Sequence, residues 1–255
     1  MCLVLFAHDI HPAYSLVLAA NRDEFHDRPT APAGMWDDAP EVLGGRDLRM
    51  GGTWLAVTRS GRWAAVTNYR DPSEFERLAR SRGHLVSDFV TGRQSPEGYL
   101  AELEAARGDF SGYNLLAADR HRVFWSSNRA PGSTPRRPLG AGIYGLSNHL
   151  LDTPWPKVTR GKTALSDLIA SPDDLAPERL LDLLLDRTLA AEHELPATGV
   201  TLELERALSA AFIRTPGYGT RSSTALLIRR DGGIHFAERR FDEKGETVGE
   251  DKFEL

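Results

Sequence analysis

Residues 1–25 read MCLVLFAHDIHPAYSLVLAANRDEF, and the fold is argued from this stretch. Residues 3–7 and 14–20 are apolar runs of strand length, and residues 8–12 are rich enough in polar and turn-forming types to reverse the chain between them. Paired antiparallel, the two runs place the end of the second beside the start of the first. The second ends in Asn21-Arg22-Asp23-Glu24; the first begins at Cys2, the only cysteine in the chain.

A cysteine at position 2 has two readings. The plainer one makes it a small hydrophobe at the start of a strand. In the other, Met1 is removed and Cys2 carries a thiol and a free α-amine on one carbon, which is a nucleophile beside its own base. The polar cluster supplies what that chemistry needs. A carboxylate orients the terminal amine as the third member of a triad orients its base. A guanidinium favours thiolate over thiol, lowering a pKa of about 8.5. An α-amine titrating near about 7.7–8.0 accepts a proton at neutral pH. A solvated strand end with an internal ion pair is the plainer alternative. Successive strand residues point to opposite faces, so Arg22, Asp23 and Glu24 share one only if the strand bulges.

Outward from this hairpin, a Pro-rich loop is expected through Pro40. Residues 53–58 and 62–69 form a hairpin across Ser60-Gly61, and 113–119 with 122–126 form another. Residues 142–147 read as a short strand, and 224–229 with 234–239 close the chain as a hairpin around Asp231-Gly232-Gly233. Helical spacing appears at 82–91, 96–106, 163–169, 177–190 and 203–212. Ser95-Pro96 gives the second of these a cap and a proline in its first turn. Strands come as antiparallel pairs with the helices grouped between them, which argues against an alternating parallel sheet. The expected class is α+β: two antiparallel sheets flanked by helices in an αββα sandwich, as one domain over residues 1–255.

Composition narrows the function. The chain has 255 residues, 41% hydrophobic and 26% charged, with formal net charge −5, so no basic face for nucleic acid is expected. The first apolar run is too short for a signal-peptide core, and no run approaches the roughly 20 residues of a membrane helix. The expectation is a cytoplasmic protein with a small-molecule ligand or substrate. One cysteine excludes an internal disulfide, and the eight His lack metal-ligand spacing, so no structural metal is expected. Trp54, Trp63 and Trp125 are expected in packing roles.

The segments LAANRDEFHDRPT (18–30), GGTWLAV (51–57), AAVTNYR (64–70), YNLLAAD (113–119), YGLSNHLLDTPWPK (144–157) and PGYGTRSSTALLI (216–228) closely resemble the NRDE family, the transport and Golgi organization 2 homologues. The resemblance implies an N-terminal nucleophile (Ntn) hydrolase fold. It extends more faintly to cysteine-type Ntn amidases such as the choloylglycine and penicillin V acylases. By that pattern Cys2 is the nucleophile, and Arg22 and Asp23 are the strand-two pair. Asn68 donates to the oxyanion, Asn148 contacts the terminal amine or substrate, and Arg221 holds the network together. In those amidases the Arg and Asp are separated by two residues, whereas Arg22 and Asp23 are adjacent. A register with Asn21 and Glu24 in those roles stays open. The plainer reading of Asn68 and Asn148 is turn capping.

Two functions follow from the resemblance. One is hydrolysis of an amide or thioester at Cys2, requiring no cofactor. The other is non-catalytic handling of haem, lipid or acyl-CoA, since family members are implicated in haem trafficking and lipid balance. Haem would then be a bound ligand. The chain lacks a CxxCH attachment motif, and Cys2, His8, His11, His26 and Met50 are the available haem ligands, none at diagnostic spacing.

Overall fold

The computed structural model describes residues 3–74, 80–130, 137–171 and 175–255. Its strands are β1 (Leu3–His8), β2 (Tyr14–Phe25), β3 (Thr30–Trp36), β4 (Ala39–Asp47), β5 (Leu55–Thr58), β6 (Trp63–Asn68), β7 (Tyr113–Ala118), β8 (Val123–Ser127), β9 (Gly142–Leu146), β10 (Arg214–Thr215), β11 (Tyr218–Arg229), β12 (Ile234–Phe241) and β13 (Thr247–Glu254). The α-helices are α1 (Gly83–Thr91), α2 (Pro96–Ala106), α3 (Pro156–Ala170), α4 (Pro177–Leu183) and α5 (Leu202–Ala207). The chain is mixed α+β with two antiparallel sheets accompanied by helices, the class its sequence predicts.

Contacts divide the chain into two compact units, each discontinuous in sequence: residues 1–27, 141–147 and 151–255, and residues 28–140 with 148–150.

The first unit holds a sheet ordered β13-β12-β11-β2-β1-β9, with β10 paired to β11. The β1–β2 hairpin forms as expected, in the register Leu3↔Asn21 through His8↔Leu16. Asp9, at φ 57°, makes the reversal. Alternation sorts β2 into two faces. Val17 and Ala19 join Leu3, Leu5, Ala225 and Leu227 in an apolar cluster with Leu165 of α3 and Leu180 and Leu181 of α4. Each of these leucines is fully buried, which contributes about 1.5–3 kcal/mol. Gly161 lets α3 approach this face, since a Cβ there would lie 2.5 Å from Leu5 Cδ1.

The second unit holds the sheet β3-β4-β5-β6-β7-β8. One face packs Val42, Ala56, Ala64, Val66, Leu115 and Ala117 against Leu85, Val86 and Phe89 of α1 and Leu100 and Leu103 of α2. The β5–β6 turn is the expected one: Gly61 sits at φ +79° and its N–H donates to Thr58 O at 2.9 Å. Ser95 caps α2 through the Gly98 N–H, 3.1 Å away. Trp54 and Trp63 are buried.

Four expectations are corrected. The Pro-rich stretch through Pro40 is a strand pair, β3 and β4, not a loop. Proline is tolerated because β3 is an edge strand whose pairing skips from Ala31 to Gly34, leaving Pro32 exposed. The polar cluster 21–24 lies inside β2, which runs on to Phe25 against the long partner β11. A further edge strand, β13, follows the 234–241 strand, alternating exposed charges with half-buried residues as protected edges do. The helical spacings also differ in extent: α3 starts earlier, at Pro156, while α4 and α5 end at Leu183 and Ala207.

Candidate functional site

In the first unit the polar end of β2 is almost wholly buried: Asn21 is 0%, Arg22 4% and Asp23 2% exposed. Asn21 continues the helix-facing row of Val17 and Ala19. Its Nδ2 donates to Leu184 O (3.1 Å) and Ala211 O (2.8 Å), and its Oδ1 accepts from Ser223 Oγ (2.6 Å). Asp23, two residues on, accepts from Thr220 Oγ1 at 2.6 Å, and that hydroxyl in turn accepts from Ile213 N–H at 2.9 Å. Asn21 and Asp23 thus both tie the sheet to segment 211–213. Arg22 lies between them on a regular strand and is directed to the other face, opposite Ser222. Glu24 is half-buried, and its Oε1 accepts from Phe25 N–H at 2.9 Å.

Arg221 enters this neighbourhood through a β-bulge. The register steps from Thr220↔Asp23 to Ser222↔Arg22, leaving Arg221 as the extra residue, and its Nη1 donates to Phe25 O at 2.8 Å. Gly219 is required next to it, because a Cβ there would stand 2.7 Å from Ile213 O. Burial, with the Arg221 charge second, pushes the His26 imidazole below its usual pKa.

In the second unit Asn68 ends β6, and Asn148 donates through Nδ2 to Asn68 O at 3.0 Å. Arg70 N–H donates back to Asn148 O at 2.7 Å. The two asparagines expected in the site therefore meet, through one side chain and one backbone carbonyl. Beside them the rings of Tyr69 and His149 lie 5.0 Å apart, and burial depresses the His149 pKa. Asn114 of β7 completes the group: its Nδ2 donates to Thr67 Oγ1 (3.2 Å) and His149 O (2.9 Å). Asn114 is not among the residues the sequence points to as site residues. The available signal was an amide side chain inside the apolar run YNLLAA, a type depleted from strands.

Within the units, then, Arg22, Asp23 and Arg221 adjoin along the β2–β11 ladder, with Arg22 and Asp23 on opposite faces, and Asn68 and Asn148 meet in the second unit. Cys2, the expected nucleophile and haem ligand, lies outside the described residues. Of the other expected haem ligands, His8 is buried in β1, and His11 Nδ1 accepts from Ala13 and Tyr14 N–H at 3.1 and 3.2 Å. His26 donates its backbone N–H to Gly217 O, and Met50 is exposed in the second unit. Among the described residues no three His, Cys, Asp or Glu gather as a metal site, and no helix is long and apolar enough to cross a membrane.

Among solved structures, a Caenorhabditis elegans N-acylethanolamine-hydrolyzing acid amidase ortholog is similar over 89% of this chain and 92% of its own, with TM-score 0.52 and 11% identity. The likeness is one of fold, and the fold is Ntn-hydrolase-like. In sequence, the Transport and Golgi organization protein 2 homolog of Bos taurus is 37% identical, covering 94% of this chain and 92% of that protein. Transport and Golgi organization protein 2 of Drosophila melanogaster is 30% identical over 93% and 91%. The family model for Transport and Golgi organisation 2 matches residues 1–243. The chain belongs to the Transport and Golgi organisation 2 family.

Proposed function

We propose that this protein is a cysteine-nucleophile hydrolase acting on an amide or thioester once Met1 has been removed. One observation supports the reading above the others. Leu3 pairs with Asn21, so the residue joined to Leu3 by a peptide bond, Cys2, is covalently tethered to the rung that borders buried Arg22 and Asp23. Burying an arginine and an aspartate is costly, and an anionic sulfur with a cationic amine gives such groups a chemical use.

The Cys2 thiolate forms the C–S bond to the carbonyl carbon, while its α-amine holds the thiol proton. The tetrahedral oxyanion accepts from the Asn68 side-chain amide, a kind of donor whose loss costs about 2.7–4 kcal/mol. Collapse breaks the bond to the leaving amine or thiol, which takes the proton from the α-ammonium. Water then attacks the acyl-thioester, the same amine acting as base, and the acid is released with the thiol restored. In this scheme Arg22 favours the thiolate and Asp23 orients the amine. Asn148 contacts the amine or substrate, and Arg221 braces the strand end.

Intact-mass analysis before and after exposure to p-nitrophenyl acetate tests it. The expected result is a chain lacking Met1 that gains one acetyl group, with no gain in Cys2→Ala. Retained Met1, or equal acetylation of Cys2→Ala, overturns the proposal. A haemin titration run alongside distinguishes the carrier role: a saturable Soret shift lost in Cys2→Ala, with no acetylation, would favour haem ligation instead.

A further inference from the structure

We infer that Asn114 is a positioning residue for the Asn68–Asn148 pair; its importance for catalysis rests on the hydrolase reading, whereas its positioning role does not. Asn114 sits in β7, 0% exposed, directly opposite Thr67 of β6, the residue before Asn68. Its Nδ2 hydrogens go to two oxygens on different parts of the second unit: the Thr67 hydroxyl on β6 and the His149 carbonyl in segment 148–150. The His149 oxygen can only accept, so chemistry fixes the orientation of the amide with its nitrogen towards that segment.

The consequence reaches the pair through one peptide unit. Holding the His149 carbonyl fixes the peptide plane between His149 and Leu150, one residue beyond Asn148. Asn148 then points its amide at Asn68 O and offers its own carbonyl to Arg70 N–H. One buried side chain thus clamps the excursion 148–150 to the end of β6, and the clamp is made of donors that no aliphatic residue of similar volume supplies. Without it the His149 carbonyl loses the hydrogen bond donated by Asn114, a cost that favours release of the segment. The Tyr69–His149 ring contact and the Asn148–Asn68 bond also join the 148–150 segment to residues 68–70.

The test uses Asn114→Leu, of similar volume with no donor, and Asn114→Asp, of the same shape with acceptors only. In both, amide-exchange protection at Arg70 is expected to fall at least about tenfold relative to wild type, the size of one lost buried hydrogen bond. Protection at residues 64–66 of the preceding strand, β6, should be unchanged and serves as the folding control. Wild-type protection at Arg70 in either folded variant overturns the inference. Should neither variant fold, the wild-type Asn114 side-chain amide protons decide: slow exchange supports the clamp, and exchange at the rate of a free amide overturns it.

The catalytic consequence is read separately, by two reactions at the same sulfur. Acylation of Cys2 by p-nitrophenyl acetate passes through an oxyanion, whereas alkylation by iodoacetamide does not. Acylation about tenfold slower with alkylation unchanged is expected in both variants. Equal changes in the two rates overturn the catalytic role. A wild-type protein that is never acylated overturns the hydrolase reading, and the exchange experiment still decides the clamp.

Discussion

The side-chain amide of Asn21 lies 3.1 Å from the carbonyl oxygen of Leu184, a residue 163 positions further along the chain, and it spends its second hydrogen on Ala211 O. Two backbone carbonyls left over where α4 ends and before β10 begins are satisfied from the middle of a neighbouring strand. The first residue of the NRDE motif is therefore a structural cross-tie, with its oxygen engaged by Ser223 as well. Replacing it with leucine strands two buried acceptors. We expect Asn21→Leu to lower unfolding stability by about 3 kcal/mol, read as a reduced urea midpoint at unchanged slope.

The hydroxyl of Thr220 both donates to Asp23 and accepts from Ile213 N–H, at 1% exposure. Thr220→Val keeps the shape and removes the hydroxyl. A loss of about 2 kcal/mol is expected, with Thr220→Ser recovering most of it. Equal stability of the valine and serine variants would show that the hydroxyl contributes nothing.

Gly45 in β4 lies under the Trp54 ring: a Cβ would stand 2.2 Å from Trp54 Cη2. Because Trp54 is buried, the ring has little room to yield. Gly45→Ala should cost about 1–3 kcal/mol and alter the tryptophan emission. Gly34, in β3, has nothing within 4 Å of its Cβ position, so Gly34→Ala is the neutral companion measurement.

His149 is held below its ordinary pKa by burial. Its unfolded form takes up a proton near pH 6.5 while the folded form does not, so between the depressed pKa and about 6.5 the unfolded state binds more protons. Stability should rise with pH through that window and level off above it. His11 and His26, also depressed, with burial the larger cause, act in the same direction. In urea titrations from pH 5 to 7, His149→Phe should flatten part of the slope; a slope as steep as that of wild type would rule out the His149 contribution.

What the sequence determined by itself was local. Apolar runs at 3–7 and 14–20 with a turn between them dictate a hairpin, because both run lengths and the intervening reversal are properties of neighbouring residues. The helical cap at Ser95-Pro96 and the reversal at Ser60-Gly61 were legible for the same reason. The tertiary structure alone decided what depends on distant partners. Pro32 looks like a loop residue until an edge position relieves β3 of part of its pairing, and Pro40 does so until the β4 register skips from Ala39 to Leu43. Arg221 looks like one more residue in a glycine-rich approach until pairing with β2 squeezes it into a bulge. Asn21 and Asp23 look like site residues alone until segment 211–213 arrives to claim their hydrogen bonds. Asn114 reads as an oddity in an apolar strand, and only the return of the chain at 148–150 provides the carbonyl that gives it a task. Register and buried polar pairing are set by chain segments from 35 to 202 positions apart, and no local pattern encodes which of them will meet.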